Sequence, residues 1–277
     1  MKKKQSLCRL LAYEFKIGSK LTIYRYIFTS ILLMFVIGLL TYHAYQTGQH
    51  LQFWDMYFEL WEGVPIYIKG RTSEFKLPVL IVFTQTLMLF LVGSYPRREM
   101  QGYGKYEFLY TSRRKWWFSK CAWVFSNILL FYVLLMLILV IPVLVQEKSI
   151  SFLSLDSTSI FMASGRNRAQ ILLNVVFLPF LVSETLGMIQ TFISIFLKPI
   201  YGYVISEAII VVSAYKLNPL LIGNYMMMLR NRFFVPEANI GLREGVMTCL
   251  SVYILFFYIG CKLIRKADIL VKGNELD

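Results

Sequence analysis

The chain alternates between long apolar runs and short polar stretches, a pattern typical of a helical protein that crosses a membrane several times. A helix needs about 20 apolar residues to cross the hydrocarbon core of a bilayer. We therefore predict six transmembrane helices, over residues 24–42, 77–95, 121–145, 171–197, 200–215 and 244–264. The fifth run is short for a complete crossing. Together these helices predict one all-α membrane domain that occupies residues 1–277.

The polar stretches between the spans predict three further elements. Residues 1–23 are basic, with apolar side chains at roughly helical spacing, which predicts an interfacial helix on the membrane surface. Residues 96–120 are basic and rich in aromatic side chains, and they favour a second surface helix. Residues 216–243 are too polar to cross the membrane and too apolar for a free loop. They predict a broken or re-entrant segment before the last span.

The distribution of positive charge predicts how this domain is oriented. Of the residues, 57% are hydrophobic and 16% charged, with a net charge of +13. In a soluble protein that charge would suggest nucleic acid, but basic flanks of membrane spans explain it here, and we expect no nucleic-acid partner. About two-thirds of the 29 Lys and Arg residues fall on the side that holds both termini and residues 96–120. Both termini are therefore predicted to be cytoplasmic.

The sequence lacks the motifs that identify a catalytic or nucleotide-binding site. No GxxxxGK[ST] phosphate-binding loop occurs, so the chain should neither bind nor hydrolyse ATP itself. The two histidines flank one loop without an HExxH motif, and the four cysteines show no close pairing. We therefore expect no enzyme, no metal site, no disulfide framework and no cofactor in this chain.

Two carboxylates lie inside the predicted spans, where ionisable groups are costly. Glu184 follows Pro179 by five residues, where a kink would free carbonyl groups, and Glu207 lies near the middle of its run. Each is either a pathway or proton site, or a hydrogen-bonded structural contact, and both interpretations remain open.

Residues 96–120 carry an ordered set of charged and turn-forming residues. These are an Arg-Arg-Glu run, a glycine, a Thr-Ser-Arg turn and a lysine that enters the next span: Arg97, Arg98, Glu99, Gly102, Thr111, Ser112, Arg113 and Lys120. The carboxylates of Glu99 and Glu107 are not needed for a topology signal and could pair across an interface. With its six-span layout, the chain resembles the ABC type-2 permeases, the membrane subunits of a class of ABC transporters. Asn218-Pro219 and Leu229-Arg230 resemble the broken region before the last span of such permeases.

The resemblance implies that residues 96–120 form a cytoplasmic coupling helix, which contacts a separate nucleotide-binding ATPase subunit that holds ATP and Mg²⁺. The residues that it assigns to this interface are Arg97, Arg98, Glu99, Gly102, Tyr103, Glu107, Leu109, Tyr110 and Arg113. It also implies a second permease chain, identical or related, in a bacterial plasma membrane, with membrane lipids around the pair. The expected function is ATP-driven export of an amphipathic or antimicrobial peptide, or else of a lipid or drug.

Two other functions are consistent with the sequence. An ion-coupled secondary transporter or channel would use Glu184 and Glu207 and would need no ATPase. A membrane-anchored assembly factor would transport nothing.

Overall fold

A computed structural model describes residues 6–47, 52–67, 75–93, 95–102, 110–146 and 167–266 of the chain. Within these ranges the secondary structure is helical, and the single β-type contact is an isolated bridge between Asn231 and Ile240. The helices are α1 (Leu7–Gln46), α2 (Phe53–Trp61), α3 (Val79–Val92), α4 (Tyr95–Gln101), α5 (Arg113–Gln146), α6 (Arg168–Leu172), α7 (Leu178–Phe196), α8 (Pro199–Tyr215) and α9 (Leu242–Lys266). The prediction of an all-α fold is confirmed.

Among the described residues, five helical stretches are long and apolar enough to cross a membrane: Leu7–Gln46, Val79–Met100, Arg113–Val145, Arg168–Phe196 and Leu242–Arg265. The second of these combines α3 and α4, which lie on either side of Gly93. They correspond to the first four predicted spans and the last, and they indicate a multi-pass membrane protein. Helix α8 coincides with the fifth predicted span, but its 17 residues are few for a crossing. A helix of that length reaches about 25 Å, against a hydrocarbon core of about 30 Å. A sixth crossing stays a prediction.

Helix α1 is one uninterrupted helix of 40 residues, whereas the sequence predicted an interfacial helix over residues 1–23 and a separate span over 24–42. Its buried positions recur at intervals of four or seven residues, and together they form one stripe. They are Leu10, Glu14, Gly18, Thr22, Thr29, Leu33, Ile37 and Ala44. Because this stripe packs along α5 and no proline interrupts it, the two predicted parts form a single helix.

The turn between α3 and α4 depends on a glycine. Gly93 ends α3 with φ of +49°, in the left-handed region that favours glycine. A Cβ at this position would lie 2.2 Å from Nη1 of Arg25, so a larger residue would also have to displace that side chain of α1. The same guanidinium donates to the carbonyl of Phe90 (3.3 Å) near the end of α3. These contacts hold the end of α3 against α1.

Helix α7 lies at the centre of the bundle, packed against α3, α5, α8 and α9, and most of its side chains are buried. Small residues permit the close approach of its neighbours. A Cβ at Gly187 would lie 2.6 Å from Cδ1 of Ile128 in α5. One at Gly202 of α8 would lie 2.5 Å from the backbone oxygen of Gln190. The central helix therefore has little room for larger side chains at these crossings.

The helix of the fourth predicted span widens just before its proline. Residues Leu173–Phe177 form a π-helical turn between α6 and α7, in which the amide of Leu178 donates to the carbonyl of Leu173, five residues earlier. The ring of Pro179 would clash with the carbonyl group four residues before it in a regular α-helix. The wider turn relieves that clash, so the span continues through the proline.

The segment between α8 and α9 folds onto the bundle end opposite the start of α1, as two short 3₁₀ turns, Ile222–Met226 and Met228–Arg230. The guanidinium of Arg230 is buried there and donates to five acceptors: the carbonyls of Val64, Pro65, Ser213 and Ala214 and the side-chain oxygen of Asn224. Two of these carbonyls end α8, where a positive charge is favoured. Burial lowers the pKa of Arg230 to about 10, so it remains charged at neutral pH.

Candidate coupling site

Three charged side chains from separate helices meet in the interior of the bundle end where α1 begins. The ammonium group of Lys120, in α5, contacts the carboxylates of Glu14 in α1 and Glu99 in α4. All three side chains are buried, and those of Glu14 and Lys120 are completely so. We call these three residues the charge cluster. It joins the first span to both ends of the segment that links the second and third spans.

Polar and aromatic groups surround the charge cluster. The hydroxyl of Tyr95 donates to Oε2 of Glu14 (2.8 Å), and the hydroxyl of Ser119 lies 3.2 Å from Oε1. The rings of Tyr95 and Trp116 lie 5.2 Å and 4.9 Å from Nζ of Lys120, within the range of a cation–π contact. Charges are buried at acceptable cost only when they are paired and hydrogen-bonded, and these contacts meet that condition for Glu14 and Lys120.

Glu99 is held less firmly than Glu14. Two carboxylates face one ammonium group, and of the two only Glu14 accepts a hydrogen bond from the hydroxyl groups of Tyr95 and Ser119. Within the described residues no hydrogen bond to Glu99 is found beyond its ion pair with Lys120. Its side chain also keeps 5% of its surface exposed, against none for Glu14. The Glu99–Lys120 contact therefore has less support from neighbouring groups than the Glu14–Lys120 contact.

Helix α4 and the start of α5 also contact the later spans. Arg97 of α4 donates to the backbone oxygen of Ser194 near the end of α7 (3.2 Å). Arg113, the first residue of α5, donates to the backbone oxygen of Arg265 near the end of α9 (2.7 Å). The free carbonyl groups at a helix C-terminus favour such a cation. Both ends of the predicted coupling segment are thus fixed to several spans at once.

The predicted interface residues fall into three groups. Arg97, Glu99 and Arg113 make the contacts within the chain described above. Arg98, Gly102 and Tyr110 are exposed, and Gly102 closes the last turn of α4. Tyr103, Glu107 and Leu109 lie outside the described residues. The sequence suggested that Glu99 could pair across an interface, which stays a prediction; within the chain its carboxylate contacts Lys120.

Glu14 is a site residue that the sequence interpretation did not single out. It is the one acid among residues 1–25, and it lies on the buried stripe of α1, four residues from Leu10 and from Gly18. A carboxylate on an otherwise apolar or small-residue stripe indicates a buried partner, so periodicity and charge together could have identified it. Lys120 entered the interpretation as one of the basic residues of 96–120 and through the resemblance, but not as a buried partner of Glu14.

The two intramembrane carboxylates have different surroundings. Glu207 in α8 accepts a hydrogen bond from the hydroxyl of Thr86 in α3 (2.8 Å), as expected of a structural contact. Glu184 in α7 is 3% exposed, and within the described part of the chain neither of its oxygens has a hydrogen-bond partner. Among the described residues no group of three His, Cys, Asp or Glu side chains forms a metal-binding arrangement.

No protein-family model, no curated protein and no solved structure matches the chain. The resemblance to the ABC type-2 permeases therefore rests on the residues and the layout given above.

Proposed function

We propose that this chain is the membrane subunit of an ATP-driven exporter in a bacterial plasma membrane, with both termini in the cytoplasm. A separate ATPase subunit binds ATP and Mg²⁺ and docks on residues 96–120, and two permease chains form the pathway. The first candidate for the exported substrate is an amphipathic or antimicrobial peptide, and the second is a lipid or drug.

The charge cluster is the observation that carries this proposal. A segment that served only as a topology signal could keep its charged groups in water, where they cost nothing to solvate. Here Glu99 and Lys120 come from opposite ends of the segment and meet Glu14 in the interior. A push on α4 would reach α1 and α5 through these ion pairs, and α7 through the contact of Arg97 with Ser194. Transmission from a motor subunit requires such connections.

The exposed side chains at this end of the bundle support docking of an acidic partner. Arg98, Arg114 and Lys115 are exposed, and Tyr110, four residues before Arg114, is 37% exposed. Positive charge with an aromatic ring nearby in the sequence suits a partner groove that carries carboxylates, because complementary charge speeds association and sets orientation.

A coupling variant tests the proposal. Glu99→Gln keeps the size of the side chain but removes the charge that holds α4 to Lys120. The tagged chain is purified from its native membranes with its ATPase and reconstituted into vesicles. Two quantities are then measured: ATP hydrolysis, and uptake of a fluorescent cationic amphipathic peptide into inside-out vesicles. We expect the variant to retain the ATPase and hydrolyse ATP, with less peptide transported per ATP. Glu62→Gln, an exposed carboxylate on the opposite side, is the matched control and should leave this ratio unchanged.

Three results would contradict the proposal. They are a purified chain without any ATPase, a wild-type chain that transports the peptide without ATP, and a coupling ratio that falls equally in both variants.

Glu184 favours ion-coupled transport as a second candidate function. A buried carboxyl group without a hydrogen-bond partner inside a span is destabilising, and such groups are commonly kept for a function. This candidate predicts transport driven by a proton or sodium gradient in vesicles that hold only this chain, and loss of that transport in Glu184→Gln. Transport that needs ATP and is unchanged by the substitution would rule it out.

A further inference from the structure

We propose that a cleft at the bundle end far from the charge cluster binds the headgroup of an anionic phospholipid. The cleft has a volume of about 790 Å³. It opens between α6, the first turns of α9 and the chain that precedes α9, and its walls include Gln170, Asn174, Asn231, Arg232, Arg243 and Met247. The proposal does not rest on the presence of an ATPase.

One wall of the cleft is polar and carries two guanidinium groups, those of Arg232 and Arg243, both exposed. The amide of Asn231 donates to the side-chain oxygen of Asn174 (2.9 Å), and both asparagines are buried, so this wall has a fixed base. A guanidinium group matches the geometry of a phosphate, to which it can donate two parallel hydrogen bonds.

Among the described residues at the cleft, cationic side chains outnumber carboxylates. Glu244 lies 3.7 Å from Arg232, with both side chains partly exposed, and it offsets part of that charge. Within the described residues Arg243 has no such ion-pair partner. Two cations against one carboxylate favour a headgroup with a net negative charge over a zwitterionic one.

The other wall is apolar and continues along α9 towards the middle of the membrane. Met247 lines the cleft and is 62% exposed, and the same face of α9 exposes Leu250, Ile254 and Tyr258 below it. From Met247 to Tyr258 this stripe covers about 16 Å at the helical rise, close to half of a hydrocarbon core of about 30 Å. An acyl chain can thus follow α9 to the bilayer midplane while its phosphate lies between the arginines. A soluble anion would use only the polar wall.

Photo-crosslinking tests this site on the full chain in phosphatidylcholine nanodiscs. The probe is phosphatidylglycerol with a photoreactive group in its acyl chain, and the labelled peptide is identified by mass spectrometry. We expect label within residues 242–258, removed by excess phosphatidylglycerol but not by excess phosphatidylcholine or inorganic phosphate. Arg232→Gln combined with Arg243→Gln should lower this labelling by about tenfold or more, since each charged hydrogen bond contributes about that factor. Arg265→Gln, at the other end of the same helix, is the matched control and should leave it unchanged.

A second variant keeps the test decisive if the double variant does not fold. Arg243→Lys preserves the charge but not the paired donors, and we expect intermediate labelling from it. Equal competition by phosphatidylcholine would mean that no headgroup is recognised, and competition by inorganic phosphate would indicate a site for a soluble anion. Either result, or labelling unchanged by all substitutions at Arg232 and Arg243, overturns the proposal.

Discussion

Replacing Lys120 by methionine perturbs the charge cluster most directly, because it removes the cation that lies between the carboxylates of Glu14 and Glu99. Methionine has nearly the length of the lysine stem, so packing against the rings of Tyr95 and Trp116 is largely kept. The measured loss should therefore come from charge rather than from a cavity.

The expected magnitude follows from the burial of the pair. Removing one partner of a buried ion pair typically costs about 3–5 kcal/mol, because the other charge is left buried without compensation. Both carboxylates lose their cation here, so we expect the free energy of unfolding of Lys120→Met to fall by that amount. Unfolding in mixed micelles, followed by tryptophan fluorescence at neutral pH, measures it.

Two further variants separate this explanation from general damage. Lys115→Met removes an exposed lysine five residues earlier in the same helix and should change stability by less than about 0.5 kcal/mol. Adding Glu14→Gln and Glu99→Gln to Lys120→Met removes the unpaired charges and should recover much of the loss. The reasoning is refuted if Lys120→Met is as stable as Lys115→Met, or if the triple variant is no more stable than Lys120→Met alone.

Three further predictions use the same unfolding measurement. Gly18→Ala should destabilise the chain by about 1–3 kcal/mol, because a Cβ there would lie 2.2 Å from Nε1 of Trp123. A Cβ at Gly38 meets nothing within 4 Å, so Gly38→Ala should be neutral or stabilising. Equal effects of the two substitutions would contradict the packing of α1 on α5. Arg230→Lys should cost at least about 3 kcal/mol, because one ammonium group cannot reach five acceptors, while Arg232→Lys at an exposed position should cost little. Burial raises the pKa of Asp55 to about 6. Between about pH 4 and pH 6 the folded chain therefore holds a proton that the unfolded chain has released. The free energy of unfolding should fall as the pH rises through this window. Asp55→Asn should remove that fall, and a fall that persists in the variant would contradict the assignment.

The all-α, multi-span character of the fold was predictable because a bilayer imposes its thickness on the sequence. Runs of about 20 apolar residues give the spans directly, and residues 200–215 coincide almost completely with α8. The join between the predicted interfacial helix and the first span was not predictable from hydropathy, because continuity depends on the stripe that α1 buries against α5. The π-helical turn before Pro179 likewise follows from local backbone geometry that a hydrophobic pattern does not report.

The candidate site was predictable in location but not in composition. Charge and glycine placement indicated residues 96–120, yet Glu14 and Lys120 are 106 residues apart, and helical periodicity does not tell which helices are neighbours. The partners of Arg230 could not be predicted for the same reason, since its acceptors include the carbonyls of Val64 and Pro65, which are far away in the sequence. Such contacts depend on which helices pack against each other.

The central claim, that an ATPase docks beside the charge cluster, is tested most directly by site-specific photo-crosslinking in native membranes. The photoreactive amino acid p-benzoylphenylalanine replaces Tyr110 at the coupling segment or, as a control, Tyr45 at the opposite end of α1, where the ring is 74% exposed. We predict that position 110 captures a protein with a GxxxxGK[ST] motif, and that position 45 does not. Capture of that protein from both positions, or of none from position 110 while the chain still transports, would contradict the proposed function.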